Sequence, residues 1–377
     1  MLLANTFLDH FKKLDDPRLH NNNLRHNLMD VLVITILGTI CGADNWVEIS
    51  DFGNARHDWL KTFLELPNGI PSHDTFGRVF SLINPETFEK CFLDWIDSLS
   101  INLDNEIISI DGKTLRGSRS KNKKPLHLVG AWASNNRILL GQIKTEEKSN
   151  EIEAIPKLLN MIDITGSVVT IDAMGCQKDI AKEIVKQKAD YVLALKENQK
   201  TLFKDVSSIF AKAEENKQKQ YKKMLHLRRV EKVHAHGRVE TRKYTLVSAR
   251  DPLMFELRWP GLKSIGKLEV TRTIDNVVEK STRYFLTTIE NENIEKFKQA
   301  VRKHWNIEIN LHWSLDVSFN EDLNRVRVGN AAENLAIVRR IALNLLKKEK
   351  THKNGISCRR KRAGWDNKYL TKVLSSL

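Results

Sequence analysis

The strongest constraint on this chain is the order of its patterned segments between residues 106 and 196. Residues 106–110 form a β-branched run that meets Asp111-Gly112. Residues 127–134 and 138–145 read as two more strands, separated by an Asn135-Asn136 turn. Asn150 is placed to cap a helix carrying Ile152, Ile155, Leu158, Leu159 and Ile162, with Pro156 in its early part, where proline disrupts least. A strand at 168–171 ends at Asp172, a helix follows at 178–188, and a last strand at 191–195 ends at Lys196. Three strands in succession pair as an antiparallel meander. Helical crossovers then add parallel strands, so the expected product is a mixed α/β sheet.

That order is the order of a ribonuclease H-like domain. The segments around it divide the rest of the chain. Residues 1–100 read as an α-helical N-terminal domain, with an apolar helical run over 26–42 and Trp46, Ile49, Phe52, Trp59, Leu60 and Phe63 at helical spacing over 44–66. Pro67-Asn68-Gly69 closes that run, Ser72 is placed to cap a helix over 73–82, and Pro85 opens another. Such short helices suit either a DNA-binding module or a plain bundle. The ribonuclease H-like domain spans 101–348, with a β-rich insertion at about 201–290. That insertion holds a Lys-rich helix over 201–225 and strands at 238–248, 265–274 and 282–289. A helix resumes at Asn293 and runs past Glu308, and a second long one covers Ala331–Lys348. Residues 349–377 form a basic C-terminal tail.

The chain has 377 residues and a formal charge of +14. Length and an apolar share of 41% suffice for a buried core and argue against a disordered polymer. No apolar run reaches the ~20 residues of a membrane span, and residues 1–10 lack the pattern of a signal peptide. The scattered Cys41, Cys91, Cys176 and Cys358 form no C-x-x-C pair, which excludes a zinc ribbon and a disulfide scaffold and suits a reducing cytosol. The charge is concentrated. Residues 196–243 hold 14 basic and 6 acidic residues, and residues 347–377 hold 10 and 2, so each segment is +8 and the remainder is 14 − 16 = −2. Two basic segments on a nearly neutral body point to a polyanion. The run Arg359-Arg360-Lys361-Arg362 adds guanidinium forks for phosphates, although such a short run also reads as a nuclear signal or a solvated helix face.

Asp111 and Asp172 each close a short apolar strand and precede a small residue. Either alone is an ordinary turn aspartate. Buried together on neighbouring strands, they need a cation, and they offer the oxygen ligands that Mg²⁺ or Mn²⁺ takes. A third acid would let the set hold two ions about 4 Å apart, the geometry of in-line phosphoryl displacement. Glu308 is the first candidate for that acid, with Glu321 and Asp322 behind it, because they sit beyond Asp316-Val-Ser-Phe319, where the helix is expected to have ended. His304, Glu308 and His312 fall at i, i+4 and i+8, so a transition-metal site is the other reading of that stripe.

Taken together, several stretches resemble the H-repeat-associated transposases linked to Rhs elements, within the DDE superfamily of insertion-sequence transposases. They are Asp16-Pro17-Arg18, Cys41-Gly-Ala-Asp-Asn-Trp46 and Asn68-Gly-Ile-Pro-Ser-His-Asp-Thr-Phe-Gly-Arg78 in the first domain. Ile110-Asp-Gly-Lys-Thr-Leu-Arg-Gly-Ser118, Asp172-Ala-Met-Gly-Cys-Gln177 and Leu195-Lys-Glu-Asn-Gln199 follow. So do His236-Gly-Arg-Val-Glu-Thr-Arg242, His304-Trp-Asn-Ile-Glu308, Leu311-His-Trp-Ser-Leu-Asp-Val317 and Ala331-Ala-Glu-Asn334. The resemblance covers essentially the whole chain. It implies a DNA transposase in a bacterial cytoplasm, associated with the nucleoid, whose partners are terminal inverted repeats and target DNA, and which pairs two ends as a homodimer. It also implies that Asp111, Asp172 and Glu308 are the metal-binding catalytic triad. One departure is visible: Ile309 follows Glu308 where the family usually has Asn. Lys113, Arg116, Lys196, Asn198, Gln199, Arg302, Arg325, Arg359, Arg360, Lys361 and Arg362 are the expected DNA contacts. A ribonuclease H-like nuclease, or a catalytically impaired DNA-binding descendant of a transposase, would share this fold.

Overall fold

In the computed structural model the described residues are 5–19, 24–121, 124–145, 150–215, 228–235, 238–249, 259–275 and 277–376. The elements in chain order begin with α1 (Asn5–Phe11), α2 (Leu28–Ile40), α3 (Trp46–Ala55), α4 (His57–Leu60), α5 (His73–Leu82) and α6 (Pro85–Ser98). Next come β1 (Ile107–Leu115), β2 (Leu126–Ala133), β3 (Ile138–Thr145), α7 (Glu151–Met161), β4 (Val168–Ile171), α8 (Lys178–Lys186), β5 (Asp190–Leu195) and α9 (Lys200–Glu215). Then follow β6 (Arg228–Ala235), β7 (Arg238–Ser248), β8 (Ser264–Ile274), β9 (Val277–Thr287) and α10 (Ile294–His304). The last are α11 (Trp313–Ser318), α12 (Ala331–Lys348), α13 (Ile356–Trp365) and α14 (Asn367–Leu374).

One nine-stranded sheet runs β3-β2-β1-β4-β5-β9-β8-β7-β6. Its first five strands have the expected ribonuclease H-like order, with β2 and β3 antiparallel and β4 parallel to both β1 and β5. The fold is thus mixed α/β with a helical N-terminal region. Two details differ from the sequence reading. β1 does not turn at Asp111-Gly112 but continues to Leu115, and only its pairing with β4 stops at Ile110. The insertion contributes β6 as well, and its four antiparallel strands extend the same sheet through β5–β9 pairing. β6 reads as a charged segment (RRVEKVHA), which hides it from a hydrophobicity pattern. Within the expected helix over 201–225, residues 216–225 lie outside the described residues, as do His236 and Gly237.

The chain divides into two compact units. One comprises residues 102–111 and 149–307. Its core joins Ile107, Val168 and Val192 of the sheet to Phe285, Ile294, Phe297 and Val301. Gly266 must be glycine there, since a Cβ would lie 2.3 Å from the Phe297 ring. The other unit comprises residues 1–101, 112–148 and 308–377. Here the N-terminal helices are not a separate module: α2, α5 and α6 pack on α12, whose Leu335 to Leu346 stretch is buried throughout. The N-terminal helices are capped as their sequence demands, by Asn45 on Glu48, Ser72 on Thr75 and Asn84 on Thr87. Residues 349–377 are not a tail, because α13 and α14 fold back and bury Ala363, Tyr369, Leu370 and Val373. No helix among the described residues is long and apolar enough to cross a membrane.

Candidate active site

In the first unit, parallel pairing sets Ile110 opposite Ile171. Asp111 and Asp172 are the next residues in each segment, Asp111 within β1 and Asp172 just past the end of β4. Asp172 then turns the chain: its Oδ1 accepts the Met174 backbone N–H at 3.0 Å. The loop behind it is fastened from the end of β5, where Asn198 donates to the Ala173 carbonyl at 2.6 Å and Gln199 to the Cys176 carbonyl at 3.1 Å. The sequence reading places these two amides on DNA. They are instead committed to holding the Asp172 loop, since a side-chain N–H already donating to a carbonyl has less to offer a phosphate. Lys196 is exposed beside them.

Helix α10 crosses the same strands at its C-terminal end. Ser109 Oγ meets the Lys303 carbonyl at 3.3 Å, and His304 Nδ1 meets Thr170 Oγ1 at 3.0 Å. Burial pushes His304 down to about 4 against the opposing pull of the Asp172 carboxylate, and Arg283 adds to the decrease. The ring is therefore neutral at pH 7. Its bond to Thr170 explains the His304–Glu308–His312 stripe differently from a metal site: His304 fixes the helix onto β4, and the chain reaches Glu308 one turn later. Arg302, an expected DNA contact, is ion-paired with Glu231.

The second unit carries Glu308 in a π-helical turn, Glu308–His312, which passes into α11. Such wide turns are often found at functional sites. The helix ends at Ser318, so Glu321 and Asp322 lie beyond it, as expected. Glu308 is exposed, and one of its oxygens and a His312 ring nitrogen lie within 4.8 Å of each other. Carboxylate and imidazole at that spacing are donors a divalent cation accepts. Burial lowers His312 to about 4, helped by Lys113 and Arg340, so its ring is neutral at pH 7.

The rival third acids are engaged by basic side chains of the chain itself. Glu321 is buried, with Arg340 at 2.6 Å; burial alone would raise its pKa, but Arg340, Arg339 and Lys113 more than offset this and hold it low. Lys113 is buried with Nζ 2.6 Å from Asp316 and 3.1 Å from Asp322. The expected phosphate contact of Lys113 is therefore not available; an ammonium caged by carboxylates is held inside the protein. Arg360 is likewise buried, donating to the carbonyls of Thr39, Ala43 and Ser318 and pairing with Asp44 at 2.8 Å. Arg359 donates to the carbonyls of Leu346 and Glu349, which close α12. Arg116, Arg325, Lys361 and Arg362 remain exposed. The sequence shows the charges of Lys113 and Arg360 but not their acceptors, which lie about 200 to 320 residues away.

A sheet of this order, with aspartates leaving two neighbouring parallel strands, defines a ribonuclease H-like domain. The DDE_Tnp_1-associated family model matches residues 8–96, and the Transposase DDE domain model matches residues 102–345. The chain is 40% identical to the Escherichia coli K12 protein named "H repeat-associated putative transposase YhhI", over 98% of this chain and 97% of that one. It is 41% identical to "Putative transposase YncI" of E. coli O157:H7, over 98% and 95%. A piggyBac transposase synaptic complex with hairpin DNA aligns over 99% of this chain and 77% of that chain, at 11% identity and a TM-score of 0.43, a likeness too loose to carry an argument. The chain belongs to the H repeat-associated transposases of the DDE superfamily.

Proposed function

We propose that the protein cuts DNA at the ends of its own mobile element and joins the freed 3′-hydroxyl to target DNA, with Asp111, Asp172 and Glu308 holding one or two Mg²⁺ or Mn²⁺ ions. The observation that supports this most is the β1–β4 register, which pairs Ile110 with Ile171, the residues just before the two aspartates. Like charges so arranged raise each other's energy, and a shared cation removes that cost. Bound ions would activate water and neutralise charge on the scissile phosphate. The residues of the chain do the rest. Met174 N–H and the amides of Asn198 and Gln199 fix the Asp172 loop, so that its carboxylate need not reorganise during the reaction. His304 keeps α10 seated on β4 and thereby sets where Glu308 begins its turn. Joining two ends calls for two copies of the chain, and a homodimer on DNA is part of this reading.

The test is Asp111→Asn in a strand-transfer assay with DNA from the element's ends. We expect loss of joining by at least ~10³-fold, since the chemistry depends on the charge, with DNA affinity nearly unchanged. A variant that joins ends at the wild-type rate would sink the assignment. Equal cleavage of a plain RNA–DNA hybrid would favour a general nuclease instead.

A further inference from the structure

The arginines of the unit that holds the N-terminal helices fall into two groups. Arg18 is bound to Asp16, Arg340 to Glu321, and Arg360 to Asp44. Arg78 and Arg325 are exposed, and their side chains make no hydrogen bond or ion pair with any described residue. Both line one cavity of about 610 Å³, together with Trp46, His73 and Arg327. Arg78 also lines a second cavity of about 700 Å³, which holds Arg25 and His26.

Helix α5 separates the two. Phe76, Val79 and Phe80 are buried on its inner side. Thr75 and Leu82 face one cavity, Gly77 and Ser81 the other. Asp74 and Arg78, at i and i+4, are exposed on the crest between them. Among the residues lining both cavities, Asp74 is the one carboxylate, against five arginines. The loop that carries Arg325 is held in place beside α5. Asn330 N–H donates to the Ser81 carbonyl at 3.1 Å, Arg327 to the Gly117 carbonyl at 2.9 Å, and Asn324 to the Asp44 carbonyl at 2.6 Å. Gly117 admits the loop this closely because it has no side chain: a Cβ there would lie 2.1 Å from the Asn324 carbonyl oxygen.

We propose that α5 enters the major groove of duplex DNA, with Arg78 and Asp74 at base edges and Arg25 and Arg325 on the two bordering phosphate backbones. A groove about 12 Å wide admits one helix. A polar crest flanked by basic hollows is the complement of base edges flanked by phosphates, and arginine reads guanine while a carboxylate accepts from cytosine. The inference rests on the reading that the chain binds DNA, and its test is kept apart from the chemistry by leaving metal out.

The full-length protein is titrated by fluorescence anisotropy against a labelled duplex from the element's end and a scrambled duplex of the same composition. Arg325→Ala is expected to weaken both about tenfold and to lower the salt slope by about 1. Arg78→Ala and Asp74→Asn are expected to narrow the preference for the element's end by about tenfold. All three sites are exposed, and circular dichroism melts check that the fold is kept. Wild-type binding with all three variants unchanged in affinity, preference and slope overturns the proposal alone. Absence of wild-type binding at low salt overturns it together with the transposase chemistry proposed above.

Discussion

Asp172 and Glu321 are both carboxylates in well-built positions, one in each unit, and their neighbours commit them to opposite roles. Asp172 accepts a backbone N–H from Met174, faces a neutral His304, and makes no ion pair among the described residues. Glu321 is buried, with Arg340 bonded to it, Arg339 at 4.0 Å and Lys113 at 3.9 Å. The first keeps a carboxylate that the chain's own cations leave unpaired among the described residues. The second has its cations supplied by the chain. Burial alone does not distinguish a metal ligand from a structural ion pair; the partners do.

The sharpest way to break that comparison is to neutralise each acid in turn. Asp172→Asn is expected to abolish metal-dependent cleavage, by at least ~10³-fold, while leaving the melting temperature close to wild type, since Asp172 makes no ion pair among the described residues. Glu321→Gln is expected to do the reverse. Removing one member of a buried ion network leaves Arg339 and Arg340 without their carboxylate, which costs about 3–5 kcal/mol of stability. Cleavage per folded molecule then stays close to wild type. Urea melts and cleavage rates measured on the same samples separate the two; matching profiles would erase the distinction drawn here.

Acid titration sharpens the same contrast. The folded state holds His304 at about 4, below its ordinary 6.5, so the unfolded chain binds the extra proton between those values. Stability from this group is complete above about 6.5 and declines as pH falls toward 4. For His304 the loss is worth about 3 kcal/mol across that range. Glu321 also has a depressed value, so its contribution is present above the usual carboxylate range and fades only as pH falls through its own lower value. A stability profile should therefore decline first through the histidine window. His304→Gln should roughly halve that decline, since His312 is lowered as far, whereas Glu321→Gln should not change it.

Much of this is legible in the sequence. Strand order, the cap at Ser72, Pro85 at the start of its helix, and the Ala331–Lys348 helix all follow from local pattern, and all are local properties of the chain. β6 escapes such a reading because an alternation of charges at the far edge of a sheet carries no apolar signal. Lys113 and Arg360 mislead for another reason. A basic residue looks alike in sequence whether its partner is a phosphate or a carboxylate in a distant segment. The Asp111-Gly112 pair looks like a turn, yet only the pairing with β4 stops there and the strand runs on to Leu115.

The two basic segments with the same +8 charge give the smallest and most discriminating test. In the C-terminal one, Arg360 is buried among carbonyls and lies 4.2 Å from the Phe319 ring, whereas Lys361, next to it, is exposed. Arg360→Ala is therefore expected to lower stability by about 3 kcal/mol through the unpaired Asp44 and the emptied site, with little effect on the DNA affinity of the molecules that remain folded. Lys361→Ala is expected to leave stability within about 0.5 kcal/mol of wild type. It should weaken binding to any duplex only a few-fold and lower the salt slope by about 1 if that face meets phosphate. Neighbouring cations with opposite outcomes in melting and in salt-dependent anisotropy would show that net charge in a segment does not locate a DNA surface. The charge that matters is the part the fold has left unpaired.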